Sequence, residues 1–304
     1  MRKSLAAPAP ARSRSLKPIW FVLPIFIIHV ALVSGPSLST LYLAFTDWNG
    51  LGNASWVGLD NFITLFTKDR VVPIAVQNNI RWMFILILVP NTTALIVALL
   101  VSTVRRGQIF LRAVYFMPYV VSAAVVGKIW SAYFNPYYGI NAIFASLGWE
   151  SLAETLWLGD PEIAIYAVAF VNNWHWWGFV MVLFLGALQQ IDPTLYEAAT
   201  VDGATSFQKL LYVSIPGIFQ TICFVLIISV MWSFLTFQYV YVMTDGGPAH
   251  STQTLATWIY YNAFTKYKAG YACALSVVQC TICLTFYFLQ KYVSRKGGLD
   301  SIED

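Results

Sequence analysis

The sequence predicts an all-α integral membrane protein with six transmembrane helices and both termini in the cytoplasm. Of its 304 residues, 58% are hydrophobic and only 11% are charged, and the mean hydropathy is +0.64. An ordinary soluble domain is about 45–50% apolar and about 25% charged. Too few charges therefore remain to coat a water-facing surface, and this composition argues against a soluble enzyme.

Six long uncharged runs predict the spans. A spanning helix needs about 20 apolar residues, and a central Asp, Lys or Arg costs about 2.5–3.5 kcal/mol on insertion. The strands of a membrane barrel would alternate in polarity over about ten residues, whereas these runs are continuously apolar. The runs cover residues 18–46, 82–104, 113–134 (across Lys128), 163–191, 210–244 and 269–290.

The first run is a transmembrane helix and not a cleaved signal, because it is too long and contains Pro24 and Pro36. The residues before it are rich in Ala, Pro, Ser and Arg and show no apolar period. We therefore expect a cytoplasmic tail at residues 1–17, a six-helix transmembrane domain at 18–292 and a second cytoplasmic tail at 293–304.

The distribution of Lys and Arg predicts the orientation. One side of the predicted membrane collects 12 cations, and the other side collects four: Lys68, Arg70, Lys266 and Lys268. The richer side consists of the five N-terminal cations with Arg105, Arg106, Arg112, Lys209, Lys291, Arg295 and Lys296. Cytoplasmic loops carry the excess of positive charge, so both termini are predicted to be cytoplasmic.

All four cysteines lie within apolar runs, including the pair Cys280 and Cys283. Neither a disulfide framework nor a hydrophilic metal site suits that placement. We expect the four cysteines to have packing roles. We expect no metal site and no catalytic residue in the chain.

The segment between the fourth and fifth runs carries the most specific motif, within a predicted loop at 189–212. Asp192-Pro193 indicates a helix start. Glu197-Ala198-Ala199 is followed by three residues, Gly203, nine residues and then Val213-x-Ile215-Pro216. Taken alone, the segment is also typical of a short amphipathic hairpin at the membrane surface.

This spacing resembles the EAA loop of ABC importer permeases, written EAA-x3-G-x9-I-x-L-P. Further segments resemble the carbohydrate permeases of the maltose and glycerol-phosphate type, from about residue 16 to residue 296. They are FTDW and VGLDNF within 43–62, YFMPY at 115–119, DGGP at 245–248 and YYNAFTKYKAGYACALS at 260–276. The resemblance implies the type I ABC importer permease fold.

The resemblance also implies the partners. In that family the EAA loop docks on a separate ATPase subunit, so Glu197, Ala198, Ala199, Asp202 and Gly203 become coupling residues. A second homologous permease, two ATPase subunits and an extracytoplasmic sugar-binding protein would complete the importer in a bacterial inner or plasma membrane, surrounded by lipid. No nucleic acid partner is expected.

The chain itself is expected to bind no cofactor and to be no enzyme. It contains no GxxxxGK[ST] phosphate loop, and in the family ATP and Mg²⁺ bind to the partner ATPase.

Polar side chains within spans are site candidates, because they are costly there. Two stripes with spacing i, i+3, i+4, i+7 combine such groups with aromatic rings, which suits sugar hydroxyls and ring faces. The stripes are Asn172, His175, Trp176 and Phe179 on the fourth helix and Ser229, Trp232, Ser233 and Thr236 on the fifth. With Tyr119 on the third helix, they resemble substrate-lining positions of maltose-type permeases, although plain helix packing explains the fourth-helix stripe equally well.

The cargo is expected to be a disaccharide or short oligosaccharide. Permeases for glycerol phosphate or its diesters share nearly all these motifs, but the two stripes contain no Lys or Arg to bind an anion. A membrane enzyme would need converging acids, bases or metal ligands, and the spans offer mainly His175. A passive channel would not need the EAA spacing.

The topology leads to a labelling prediction. Because of the cation asymmetry, an impermeant thiol reagent should reach a cysteine placed at Gln208 only from the cytoplasmic side and one at Ser151 only from the outside. The measurement is the fraction labelled in intact cells and in inverted vesicles. Labelling of Gln208 in intact cells would reverse the topology.

Overall fold

The computed structural model of the protein describes residues 17–104 and 106–296, and helices joined by turns and loops make up that part. No strand forms there; Thr46 and Trp56 make a single isolated bridge. The α-helices are α1 Lys17–His29, α2 Gly35–Leu43, α3 Asp60–Thr67, α4 Val71–Ser102, α5 Gln108–Val120, α6 Ala123–Tyr133, α7 Ile140–Ser146, α8 Glu150–Ala153, α9 Ala164–Leu188, α10 Pro193–Val201, α11 Ser206–Lys209, α12 Ile215–Gly217, α13 Phe219–Leu235, α14 Gln238–Met243, α15 Leu255–Tyr260 and α16 Ala269–Lys296. Single π-turns lie at Val30–Ser34, Leu210–Ser214 and Tyr261–Thr265.

Four segments are long and apolar enough to cross a membrane, and two bent pairs bring the number to as many as six. The straight segments are Val22–Leu43, Val71–Ser102, Ala164–Leu188 and Ala269–Leu289. The bent pairs are Gln108–Val120 with Ala123–Tyr133, at 87°, and Ser206–Gly217 with Phe219–Leu235, at 68°. The all-α membrane class is confirmed. Residues 1–16, Arg105 and 297–304, with most of the predicted tails, lie outside the described residues.

The third and fifth spans are broken, a feature that their continuous apolar runs do not indicate. In the third span, Val121 and Ser122 adopt extended backbone with ψ near 140° and 135°. In the fifth, α13 ends at Leu235 and Thr236 is extended with ψ of 111°. Hydropathy indicates which segments of a chain are stable within a membrane, but it does not indicate whether the helix in such a segment is continuous. The second span also begins earlier than expected, at Val71.

Side chains from other helices stabilise the end of α13. The carbonyl of Ser233 accepts a hydrogen bond from Asn79 Nδ2 at 2.7 Å. The carbonyl of Phe234 accepts one from Gln279 Nε2 at 3.0 Å. A helix end that lacks water needs such donors, because each unsatisfied backbone group in hydrocarbon costs several kcal/mol.

The core forms where α4 and α9 pack along each other. Trp82 and Leu86 of α4 and Val168, Met181 and Leu185 of α9 are buried in one cluster. The helix α5 also packs on α9, and Gly178 permits its close approach, because a Cβ at Gly178 would overlap the carbonyl oxygen of Tyr115. This contact fixes the position of the third span beside the fourth.

Asp69 fixes the N-terminal end of α4 to α15 and α16. Its Oδ2 accepts hydrogen bonds from Trp258 Nε1 at 2.8 Å and from the Tyr271 hydroxyl at 2.6 Å. Its Oδ1 accepts one from the Val71 N–H at 2.8 Å. Burial raises the pKa of Asp69, but these hydrogen bonds outweigh it and the pKa lies below its ordinary value. A carboxylate therefore joins the three helices at neutral pH.

The close approach of α5 to α9 can be tested with two glycines of the same helix. Gly178→Ala should destabilise the protein by about 1–3 kcal/mol, the usual cost of overpacking, because its methyl group meets backbone. Gly186→Ala is the matched control, since nothing lies within 4 Å of a Cβ there, and it should gain up to about 1 kcal/mol in helix propensity. The measurement is the thermal unfolding midpoint in detergent; equal midpoints for the two variants would contradict the packing described here.

Candidate functional site

A cavity of about 480 Å³ lies where the two broken spans meet the middle of α9. Its walls come from the third-span break, from α9 and from the fifth-span break, with Leu86 of α4. The lining residues are Leu86, Tyr119, Val120, Val121, Ser122, Ala123, Asn172, His175, Trp176, Trp232, Leu235, Thr236, Phe237, Gln238 and Tyr239. The volume falls within the range of small-molecule sites.

His175 connects the two breaks. Its Nε2 lies 2.8 Å from the carbonyl oxygen of Val121, and its Nδ1 lies 2.6 Å from the hydroxyl of Tyr239. A carbonyl can only accept, so the proton is assigned to Nε2, and Nδ1 then accepts from Tyr239. Both ring nitrogens are therefore engaged within the chain, and neither is free for a ligand hydroxyl. His175 holds the site's shape.

Aromatic rings form one wall of the cavity. Tyr119 stacks on Phe179 with ring centroids 4.8 Å apart, and it meets the edge of Trp176 at 5.9 Å. Trp176 in turn lies 5.2 Å from Trp232 of the fifth span. Such a wall offers apolar faces to the C–H groups of a ligand.

The polar groups of the cavity are neutral. No Lys, Arg, Asp or Glu is among the described lining residues. Asn172 is only 9% exposed, and no hydrogen bond is formed by its side-chain amide within the described chain. Buried amides are nearly always hydrogen-bonded. The Asn172 amide and the buried Nε1 of Trp176 are thus two lining groups without a partner in the described chain.

The structure brings six of the nine predicted substrate residues to the cavity: Tyr119, Asn172, His175, Trp176, Trp232 and Thr236. The other three lie outside its lining. Phe179 supports Tyr119 from behind, Ser229 is fully buried beside Asn91 at 3.1 Å, and Ser233 is fully buried and donates to the carbonyl of Val230 at 2.6 Å.

The helical stripe fails at Ser229 and Ser233 for a geometric reason. Both serines lie on the face of α13 that packs on α4, where Ser229 meets Asn91 and the Ser233 carbonyl binds Asn79. Thr236 lies beyond the end of α13 at Leu235 and reaches the cavity from extended backbone. Residues 120–123, Leu235 and 237–239 were missed by sequence reasoning, since nothing in an apolar run marks where its helix stops.

A second site is the loop between α9 and α13. Asp192 caps α10 by accepting the Thr194 N–H at 2.9 Å, with Pro193 at the first helical position. Gly203 follows α10 with φ of +75°, a conformation that favours glycine. Thr205 and Gln208 then form a capping box that starts α11.

Two hydrogen bonds make this loop a firm unit. Lys209 Nζ donates to Thr200 Oγ1 at 2.8 Å and joins α11 to α10. The hydroxyls of Tyr196 and Ser214 lie 2.9 Å apart and join α10 to the start of the fifth span. A displacement of α10 would therefore move the base of that span.

The loop presents an exposed surface of mixed character. Leu195, Val201 and Phe207 are 54%, 87% and 65% exposed, and Glu197, Ala198, Asp202 and Gly203 are also exposed, while Ala199 is half-buried. Glu197 further lines a groove of about 890 Å³ between α10 and the C-terminal end of α4.

Comparison with known proteins identifies the family. Residues 18–297 match the family described as binding-protein-dependent transport system inner membrane component. The chain is 34% identical over 288 residues to the diacetylchitobiose uptake system permease protein NgcF of Streptomyces coelicolor. The aligned residues cover 91% of this chain and 80% of NgcF. The chain is 31% identical over 290 residues to the sn-glycerol-3-phosphate transport system permease protein UgpA of Escherichia coli, covering 94% and 96% of the two chains.

The fold has a solved counterpart in a bacterial ABC transporter that imports the acidic polysaccharide alginate. The two chains superpose with a TM-score of 0.82 at 23% identity, over 92% of this chain and 97% of the other. The family match covers nearly all of the helical part described above. The chain therefore belongs to the binding-protein-dependent transport system inner membrane components: it is a multi-pass membrane protein and a permease subunit of an ABC importer.

Proposed function

We propose that this chain forms half of the translocation path of an ATP-driven importer for disaccharides or short oligosaccharides. The observation that carries the proposal is the cavity, whose lining combines aromatic faces with uncharged polar groups. A saccharide needs both, because its C–H faces pack on rings while its hydroxyls need neutral hydrogen-bond partners. Kinship with NgcF, a diacetylchitobiose uptake permease, supports a saccharide cargo.

Substrate contact is assigned to the lining residues according to their chemistry. Trp176 and Trp232 supply apolar faces, Tyr119 a ring and a hydroxyl, Asn172 a free amide, and Thr236 a hydroxyl oxygen that can still accept. His175 keeps Val121 and Tyr239 in place through its two hydrogen bonds. Ser229, Ser233 and Phe179 would act only through the residues they pack against.

The importer would contain a second homologous permease, two ATPase subunits and an extracytoplasmic sugar-binding protein, in a bacterial inner or plasma membrane with both termini of this chain cytoplasmic. The chain itself would bind no cofactor, since ATP and Mg²⁺ belong to the ATPase. The exposed apolar residues of the α10–α11 loop support this arrangement, because an exposed apolar patch of this kind is typical of an interface.

The loop of α10 and α11 would couple the two machines. Glu197, Ala198, Ala199, Asp202 and Gly203 lie at the EAA positions of that loop, and α10 is joined to the fifth span through Tyr196. Closure of the ATPase dimer would move α10 and, through that hydrogen bond, the base of the span whose other end lines the cavity. Import is then a rigid-body switch between two states.

Import of glycerol phosphate is the second candidate, because UgpA is 31% identical to this chain. The described lining offers no cation to a phosphate, which favours the saccharide.

Reconstitution tests the proposed function. Proteoliposomes with the full importer and its binding protein should accumulate a labelled disaccharide only when ATP is enclosed, and excess glycerol phosphate should not compete. Uptake that runs equally without ATP would indicate a passive channel, and competition by glycerol phosphate would favour the second candidate.

Gly203 provides a test of coupling that separates backbone conformation from size. Nothing lies within 4 Å of a Cβ at Gly203, so only its positive φ opposes substitution. Gly203→Val should abolish uptake, because a β-branched residue is an outlier at positive φ, whereas Gly203→Asn should keep most of it, because Asn tolerates that region. Glu197→Lys should reduce uptake less than Gly203→Val.

The readouts are co-purification of the ATPase and ATP hydrolysis stimulated by the binding protein. Sugar capture by the isolated binding protein serves as the control and should not change. Full docking and full stimulation in Gly203→Val would refute the role of this loop.

A further inference from the structure

The hydrogen-bonding groups at the two breaks are satisfied unequally. The carbonyls have donors from elsewhere in the chain: His175 binds that of Val121 at 2.8 Å, and Thr254 Oγ1 binds that of Thr236 at 2.9 Å. Those of Ser233 and Phe234 are bound in the same way, as described above. Four carbonyls at the breaks are therefore occupied by donors from the protein.

The donors at the start of α6 have no such partners. Counting along α6 from its start, the first backbone N–H that finds an acceptor is that of Val126. It donates to the carbonyl of Ser122 at 3.0 Å. The N–H groups of Ala123, Ala124 and Val125 have no acceptor in the described chain, and Ser122 makes no side-chain cap. Helix N-termini carry a partial positive charge and attract acceptor oxygens.

This helix end opens into the cavity, since Ser122 and Ala123 belong to its lining. Asn172 is an independent sign of a ligand there. Asn172 lies one helical turn before His175, whose Nε2 binds the carbonyl of Val121 at the third-span break. Only 9% of Asn172 is exposed, and its side-chain amide has no partner in the described chain. Two sets of unused hydrogen-bonding groups thus border one space.

The absence of charge among the described lining residues restricts what can fill that space. A carboxylate or phosphate would be buried without a cation, which is costly in a membrane. A neutral amide avoids that cost and still provides a carbonyl, a strong acceptor. It also provides an N–H for Asn172 Oδ1, and a methyl group beside it would pack on Trp176 and Trp232.

We propose that the cavity recognises the acetamido group of an N-acetylated saccharide. Its carbonyl oxygen accepts hydrogen bonds from the free N–H groups at the start of α6, and its amide pairs with the side chain of Asn172. This assignment rests on the proposed function and names the class of saccharide that the site takes.

Two variants each remove one half of the recognition. Asn172→Ala removes the amide. Ala123→Pro removes an N–H at the first helical position, where proline is well tolerated. The residue before a proline needs extended backbone, and Ser122 already has it, with φ of −57° and ψ of 135°. Ser233→Ala is the control, because Ser233 lies outside the cavity.

The experiment measures ATP-dependent uptake by the complete importer of two labelled disaccharides that differ only at C2, one with acetamido groups and one with hydroxyls. Relative to Ser233→Ala, each variant should lower acetamido-disaccharide uptake about three- to tenfold, as expected for one lost hydrogen bond. Uptake of the hydroxyl disaccharide should fall by a clearly smaller factor, because a C2 hydroxyl cannot bind both the N–H groups of α6 and the amide of Asn172. The same binding protein serves every variant, so its own selectivity cancels.

The possible results separate the two levels of the assignment. If acetamido uptake stays at the control level in both variants, or if both sugars fall equally, the acetamido assignment is wrong while saccharide import stands. If the control imports neither sugar with ATP, the proposed function itself fails. Should Asn172→Ala not assemble with its partners, the Ala123→Pro result decides.

Discussion

The need to satisfy backbone hydrogen bonds away from water is the constraint on which this structure depends. Two spans are interrupted within the helical bundle, and each interruption releases carbonyl groups that lipid cannot bind. Side-chain donors from other helices occupy them, including Asn79, His175, Thr254 and Gln279. The breaks are therefore stable features of the fold, and the cavity exists because two of them face each other across α9.

The fifth span connects the cavity with the loop of α10 and α11 at its opposite end. That span starts from α11, bends by 68° near Ile218 and ends at Leu235 beside the cavity. Its base is joined to α10 through Tyr196 and Ser214. In the proposed mechanism, a displacement of α10 would reach the cavity through the Tyr196–Ser214 hydrogen bond and then along the bent fifth span.

Only 11% of the residues are charged, and the described lining of the cavity contains none of them. Asp69 lies at the end of α4, where three hydrogen bonds and partial solvent access keep it ionised. The described cavity lining uses only neutral groups. As the proposed substrate site, it would select by hydrogen-bond direction and ring faces, and a ligand that left its polar groups unpaired would be rejected more strongly than by apolar contact alone.

The sequence by itself determined the membrane class, the approximate positions of the spans and the EAA loop, because composition, hydropathy and motif spacing are local properties of the chain. It also placed Tyr119, Asn172, His175, Trp176, Trp232 and Thr236 in the candidate site. Only the tertiary structure decided that two spans are broken, that His175 is engaged at both nitrogens and that Ser229 and Ser233 are packed away. Those outcomes depend on hydrogen bonds between residues 45 to 154 positions apart. No local pattern reports such distant partners, and a helix can end within an apolar run only where the folded chain brings those partners to it.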